Sequence, residues 1–403
     1  MNAPAENFRS RLLLIGFGMT VFAIGQSLVF MIVTPMARST GLTEVQFGLV
    51  LTFASLPLVI FAPYWGKKSD QVGRKPIFLL GLAGSAIGTL LVAFALEARL
   101  AGFISVGALA AGLFFARGLY SATGSAIYPA SGGYIADVTT LQDRSKGMAI
   151  LGASNSLGTV LGSLLAVGLS FAGVLVPMYV AAGLMLATAL LASKLLKEPE
   201  RHAVTRQAST LKLFDRRLRP FMIMWFCFFL TFSSVQLTSG FFIQDKLALT
   251  DPAAVVRVAG LCLISMSVVI IVAQGLVLQV LHIGPQMLLR LCGPVVIASL
   301  LALSAADTTL GLCTGFGLLG LAFSLATPGI NGGGSLAVAA HEQGTASGYL
   351  AAANTVGAVL GPLTGTSLYR IGPQALFYAG AALFVLVSLY ALTIVIPSRH
   401  GSH

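Results

Sequence analysis

The chain has 403 residues, 56% of them hydrophobic and only 9% charged, with a mean hydropathy of +0.90. A soluble domain carries about 25% charged residues, so this composition excludes an ordinary water-soluble globule and makes lipid the solvent for most of the surface. The net charge of +11 would suit nucleic acid, but the cations stand in short spacers between apolar runs rather than on a basic face interleaved with aromatics, and no nucleic-acid partner is expected.

A membrane-crossing helix needs about 20 mostly apolar residues. The first such run, 12–35, follows a short polar segment and is too long for the apolar core of a signal peptide, so it reads as a membrane helix. Further runs follow at 44–65, 76–96, 101–133, 147–170, 174–196, 220–243, 256–281, 286–305, 309–337, 345–368 and 373–396, which makes twelve. The expected fold class is an all-α membrane protein of two six-helix bundles.

Between the second and third runs lies "GKKSDQVGRKP", residues 66–76, read as a short hinge in which Gly66 and Gly73 permit tight turns. Lys67, Lys68, Arg74 and Lys75 mark this hinge as facing the cytoplasm. Asp70, set among them, is placed to pair with a cation or to sit against a helix N-terminus. Such a contact can hold one conformation closed and break in another.

The fourth run holds Arg117 at mid-membrane depth, where a charge costs about 2.5–3.5 kcal/mol and is a functional candidate by default. Ser121 and Gly124 share its helix face. The alternative is a guanidinium neutralised by a neighbouring carbonyl or polar side chain, a packing device. None of the 13 acidic residues lies at the centre of a run. Asp137, near the end of the fourth, is the first candidate to carry a proton, and Glu198 reads as a linker residue. In the fifth run "GTVLGS" (158–163) is echoed by "GAVLGP" (357–362) in the eleventh. Gly158, Gly162, Gly357, Gly361 and Pro362 are therefore expected at close helix contacts repeated in the two halves.

The only extended polar stretch, "KEPERHAVTRQASTLKLFDRRLR", follows the sixth run. It divides the chain into an N-terminal bundle (1–196), a linker (197–219) and a C-terminal bundle with a short tail (220–403). In the tenth run "TPGINGGGS" (327–335) is expected to break the helix, as helices beside transport sites often break. Gln26, Asn155, Ser234, Gln236, Gln274, Asn331 and Asn354 are uncharged polar residues at membrane depth. They are candidates to line a substrate cavity, although each is equally able to bond between helices. Tyr120, Tyr128, Trp225 and Phe232 are candidates for apolar contact with cargo, or for core packing.

Of the 24 Lys and Arg, eighteen fall on the side of the N-terminus and hinge, and five on the other. The bias puts both termini in the cytoplasm. The four cysteines lie in apolar runs without CxxC spacing, and the five histidines fall in loops or the tail. No phosphate-binding GxxxxGK[ST] loop occurs. Neither metal, cofactor nor catalytic site is expected, and the chain is not read as an enzyme.

The hinge sequence resembles the GxxxDxxGRK signature of the major facilitator superfamily, with Gly66, Asp70, Gly73, Arg74 and Lys75 in the signature positions. "TPMARSTGL" resembles the superfamily's proline-containing end of the first helix and "ARGLYSATGSA" its Arg-containing signature, while "GGYIADVTTLQDRSKG" and "HEQGTASGYLAAANTVGAVLGPLTG" are similar to stretches of its tetracycline-type drug–proton antiporters. The resemblance implies a conformational latch at the hinge, with Arg117 in proton coupling or substrate charge recognition. The fifth run departs from the antiporter pattern GxxxGPxxGG, and the proline form stands instead at Gly361-Pro362. Many relatives of this type carry an acid in the first helix, where this chain offers Gln26; without that counter-ion, a neutral or anionic cargo fits better than a lipophilic cation.

The function expected is export of a drug-like compound, or of an endogenous polar or anionic metabolite such as a siderophore, by proton antiport across a bacterial inner membrane. The protein is expected to act as a monomer. The alternative is an importer or facilitator of a small nutrient. One charge crossing roughly 150 mV yields about 3.5 kcal/mol, so a proton gradient suffices as the energy source.

Overall fold

Lipid offers no hydrogen bonds, so every backbone group in an apolar run must be satisfied within its own segment, and a helix does this. The computed structural model describes residues 3–139, 144–199, 211–212, 214–274, 283–339 and 342–394, and every regular element among them is helical. Helix α1 (Ala3–Leu28) passes through a π turn (Val29–Val33) into α2 (Thr34–Ser39). There follow α3 (Glu44–Val72), α4 (Arg74–Leu100), α5 (Val106–Gly124), α6 (Ile127–Val138), α7 (Arg144–Leu169), α8 (Val176–Leu195) and α9 (Arg219–Lys246). The rest are α10 (Pro252–Val272), α11 (Pro285–Ala305), α12 (Thr309–Leu336), α13 (Gln343–Ile371) and α14 (Ala375–Thr393).

Among the described residues, eleven helical runs are long and apolar enough to cross a membrane. The expected run outside that count is the eleventh, α13, a helix of 29 residues that carries the polar Asn354, Thr355, Thr364 and Thr366. Helix starts follow local cap chemistry. Thr43 accepts from the Gln46 amide at the head of α3 while the Gln46 side chain accepts from the Thr43 amide, a reciprocal capping box.

Three elements differ from the sequence expectation. The hinge is not a loop over 66–76: α3 runs through Gly66 to Val72, and α4 begins at Arg74. Lys67 to Gln71 have no reason to leave the helix, and only Gly73, at φ 124°, breaks it. Gly66 is helical, and a side chain there would meet nothing nearer than Pro129 at 3.8 Å. The fourth run bends at 125–126 between α5 and α6. The tenth is unbroken: α12 carries Pro328 in its interior, and its glycines serve close packing, since a Cβ at Gly329 would lie 3.0 Å from the Leu289 backbone nitrogen. The end of the eighth run, 275–281, and most of the linker, 200–210, lie outside the described residues.

The chain forms two compact units, Met1–Val204 with Thr250–Gly260, and Thr205–Leu249 with Leu261–His403. In the first unit α1 packs on α7, and the core gathers Ile15, Met19, Phe22, Phe78, Leu82, Tyr120, Ile127 and Tyr134. In the second, α9 packs on α13 and α11 on α12. The echoed glycines stand at these seams. A Cβ at Gly158 would lie 2.2 Å from the Thr20 carbonyl oxygen of α1, and one at Gly361 would lie 2.6 Å from Ser233 Cβ of α9. Gly162 and Gly357 are equally tight, against Ser27 and the Phe226 carbonyl, while Pro362 lies inside α13, where its carbonyl accepts from the Thr366 hydroxyl. Outward faces carry exposed apolar residues such as Phe115, Leu190, Leu386 and Leu389. In water this would be an aggregation surface; in a bilayer it faces acyl chains.

Candidate functional site

Three arrangements in the two units bring polar chemistry together. The first stands where α3 gives way to α4. Because Gly73 reverses the chain within one residue, Arg74 begins the new helix with its side chain lying back across α6. Its guanidinium donates from Nη2 to Asp70 Oδ1 (2.6 Å), from Nε to Asp137 Oδ2 (2.9 Å) and from Nη1 to Ser69 Oγ (2.7 Å). Gly133 of α6 makes room for it: a Cβ there would lie 2.6 Å from Arg74 Cζ.

The backbone of this corner is held by a residue from beyond α8. The Glu198 carboxylate accepts from the amides of Arg74 (2.5 Å) and Lys75 (3.0 Å), so it caps α4 across the unit. Lys75 Nζ in turn donates to the Ser193 carbonyl of α8 at 2.6 Å. Tyr134 of α6 donates to the Lys197 carbonyl at 2.7 Å, which fixes the chain beside Glu198. Asp70, Arg74 and Asp137 are thus one ion-paired group, with Lys75 and Glu198 as its backing, whereas Gly66 takes no part. Sequence reasoning missed Glu198, whose only local signal is a carboxylate placed two residues after the end of an apolar run.

The second arrangement surrounds Arg117 of α5. This residue is only 7% exposed, and its Nε and Nη1 have no hydrogen-bond partner. Its Cζ lies 4.5 Å from the centroid of the Tyr120 ring, a cation–π contact. Phe22 of α1 stacks on the same ring at 5.6 Å and an interplanar angle of 13°, and Tyr128 of α6 meets Phe22 edge-on at 5.9 Å. Tyr128 donates to Asn155 Oδ1 of α7 at 3.0 Å, while the buried Tyr120 hydroxyl has no partner. Arg117, Tyr120 and Asn155 therefore belong to one cluster across four helices, and Gln26 lies half-buried on α1 outside it.

The third lies in the second unit. Trp225 of α9 donates from Nε1 to Asn331 Oδ1 of α12 at 2.9 Å, and its ring begins an array with Phe228, Phe229, Phe232 and Phe323. Phe229, Phe232 and Phe323 keep part of their surface exposed. Ser234 is placed elsewhere. Its hydroxyl donates to the Gly361 carbonyl at 2.8 Å and lies 2.9 Å from the Thr364 hydroxyl, a bond between helices rather than a cavity wall. Gln236, Gln274 and Asn354 are half-buried and are not drawn into this array. Where the linker enters α9, Arg217 holds Glu342 through Nη1 and Nη2 at 3.1 and 3.2 Å and also bonds Asp215, which keeps the Asp215 carboxyl below the usual carboxylate range.

A family model described as the Major Facilitator Superfamily matches residues 15–357. The chain belongs to this superfamily. It is therefore a membrane-spanning transporter of small molecules, and superfamily members are not enzymes. Multidrug resistance protein 2 of Bacillus subtilis (strain 168) is 26% identical to it over 390 residues, spanning 92% of this chain and 91% of that protein. Tetracycline resistance protein, class B, of Escherichia coli is 25% identical over 374 residues, spanning 89% of this chain and 88% of that protein. Among solved structures, a bacterial homolog of the human lysosomal transporter Spinster superposes with a TM-score of 0.74 at 13% identity over 96% of each chain. A human organic anion transporter superposes with a TM-score of 0.66 at 19% identity, over 95% of this chain and 99% of that one. These likenesses establish the major facilitator fold; in this superfamily member the Arg74 group stands at the loop signature between the second and third spans.

Proposed function

We propose that the protein is a secondary active exporter of a small molecule, a drug-like compound or an endogenous polar or anionic metabolite. It works by proton antiport with alternating access, in a bacterial inner membrane and with both termini cytoplasmic. The observation that carries this reading is the Arg74 bridge between the α3–α4 corner and α6. A guanidinium shared by two carboxylates is a contact that can open and close as a unit, and an alternating-access carrier needs such a bistable closure. Both full-length relatives are named for drug resistance, which supports the outward direction.

In the closed latch Asp137 is engaged by Arg74. It becomes available to a proton when the bridge opens, which would tie protonation to the conformational step. Everted membrane vesicles from cells with and without the protein test the whole reading. A probe compound and an untargeted metabolite extract are each followed before and after adding a protonophore. Uptake into everted vesicles that requires both the protein and the proton gradient supports export, whereas protein-dependent movement indifferent to the protonophore would sink proton coupling.

A further inference from the structure

We propose that Arg117 and Tyr120 form a binding site for one oxyanion, the carboxylate of an aromatic acid, and that this group is what the transporter recognises in its cargo. The inference rests on the export reading and deepens it by naming the cargo class. Its basis is a pair of buried donors one helical turn apart on α5. Arg117 Nε and Nη1 and the Tyr120 hydroxyl are all buried with no hydrogen-bond partner. Buried polar groups are paired almost without exception, and an unpaired one requires an account. An unpaired cation at membrane depth requires it most.

The chemistry of the donors selects the ligand. A guanidinium is a fixed planar fork of N–H donors without any acceptor, and it matches a carboxylate better than any neutral group. No carboxylate of the protein pairs with it among the described residues, and the Tyr120 ring beneath it bears no formal charge. An ammonium or amidinium cargo would meet like charge here, and repulsion of the wrong partner gives specificity as surely as attraction of the right one.

The walls select the rest. Tyr120 lies under the guanidinium at 4.5 Å with Phe22 stacked upon it, and Tyr128 closes against Phe22 edge-on while its hydroxyl is tied to Asn155. These rings are locked by one another, and Tyr128, the exposed one of the three, can meet a planar ring at little loss of side-chain freedom. A carboxylate attached directly to an aromatic ring fills both requirements at once.

The test uses the full-length protein in a neutral detergent and three isosteric probes, benzoate, benzamide and benzamidine, which differ in charge and hardly in shape. Binding is read by titration calorimetry. Benzoate is expected to bind at least about tenfold more tightly than benzamide, since hydrogen bonds to charged groups are the stronger kind, and benzamidine is expected not to bind. Arg117→Gln should abolish the preference for benzoate. Tyr120→Phe removes one oxygen from the same fold, and should weaken benzoate by about tenfold and benzamide by less, since the bond to the charged group is the stronger. Thermal unfolding of each variant shows whether it is folded, and Tyr120→Phe decides the matter if Arg117→Gln is not.

Equal binding of the three probes, or a benzoate preference that survives both substitutions, overturns the proposal. Short-chain phosphatidylglycerol binding in an Arg117-dependent way, with no binding of benzoate, would make the oxyanion a lipid headgroup and overturn the cargo assignment. Arg117-dependent benzoate binding without proton-driven export would sink the export reading and leave the site. Proton-driven export by a protein with no anion preference would do the reverse.

Discussion

At the scale of single residues, the Arg74 group has two arms of unequal strength. The Asp137 side chain is 14% exposed and the Asp70 side chain 58% exposed, although both lie within 3 Å of the same guanidinium. A solvated ion pair contributes about 0–1 kcal/mol, and a hydrogen bond to a charged group sheltered from water about 1.5–3 kcal/mol. Asp137→Asn should therefore slow transport more than Asp70→Asn, compared at equal membrane abundance in reconstituted vesicles. Equal losses would show that burial does not rank the arms. Glu198 acts on the same corner through the backbone. Loss of a helix cap costs about 0.5–2 kcal/mol, so Glu198→Ala should speed hydrogen exchange at the Arg74 and Lys75 amides about tenfold, and unchanged exchange would show the cap to be idle. Asp70, Arg74 and Lys75 were legible because the signature sets them side by side. Glu198 and Gly133 were not, because a cap and a close approach formed across the unit leave no pattern in the local sequence.

At the scale of elements, the apolar runs were legible because a lipid-embedded chain has few alternatives to the helix. Their boundaries were read less well where the expectation leaned on single glycines and prolines. Gly66 stays helical because nothing after it breaks the helix until Gly73, and α12 runs through Pro328 while neighbouring helices press close against its glycines. The space around each glycine separates the structural ones from the incidental. At Gly158 a Cβ would collide with the Thr20 carbonyl at 2.2 Å, whereas at Gly152, on the same helix α7, it would meet nothing within 4 Å. Gly158→Ala must push α1 and α7 apart and should destabilise the protein by about 1–3 kcal/mol, the usual cost of overpacking. Gly152→Ala should instead stabilise by up to about 1 kcal/mol, since alanine is the better helix former. Thermal unfolding in detergent measures both, and a fall in the unfolding temperature for Gly152→Ala would contradict the argument. The second unit repeats the pattern, with Gly361→Ala expected to act like Gly158→Ala at the seam of α9 and α13.

At the scale of the whole molecule, the superfamily was legible from the number of runs and the loop signature. Arg117 and Tyr120 were candidates from the sequence, but that their donors are unpaired is seen only once the helices are packed. Cargo charge has a consequence for the entire transport cycle. Exchange of one proton inward for a monoanion outward moves two positive charges inward per cycle. The same exchange moves one charge for a neutral cargo and none for a monocation. Each charge is worth about 2.3 kcal/mol per 100 mV. A 100 mV interior-negative potential should therefore shift the limiting gradient of an anionic cargo by roughly 2,000-fold, that of a neutral cargo by roughly 50-fold, and that of a cation not at all. Proteoliposomes clamped at set potentials by potassium and valinomycin, with no pH difference, give the slope directly. A slope of two charges is the expected result and identifies an anion moving against a proton. A slope of zero would mean that the buried Arg117 serves the protein's own cycle rather than its cargo.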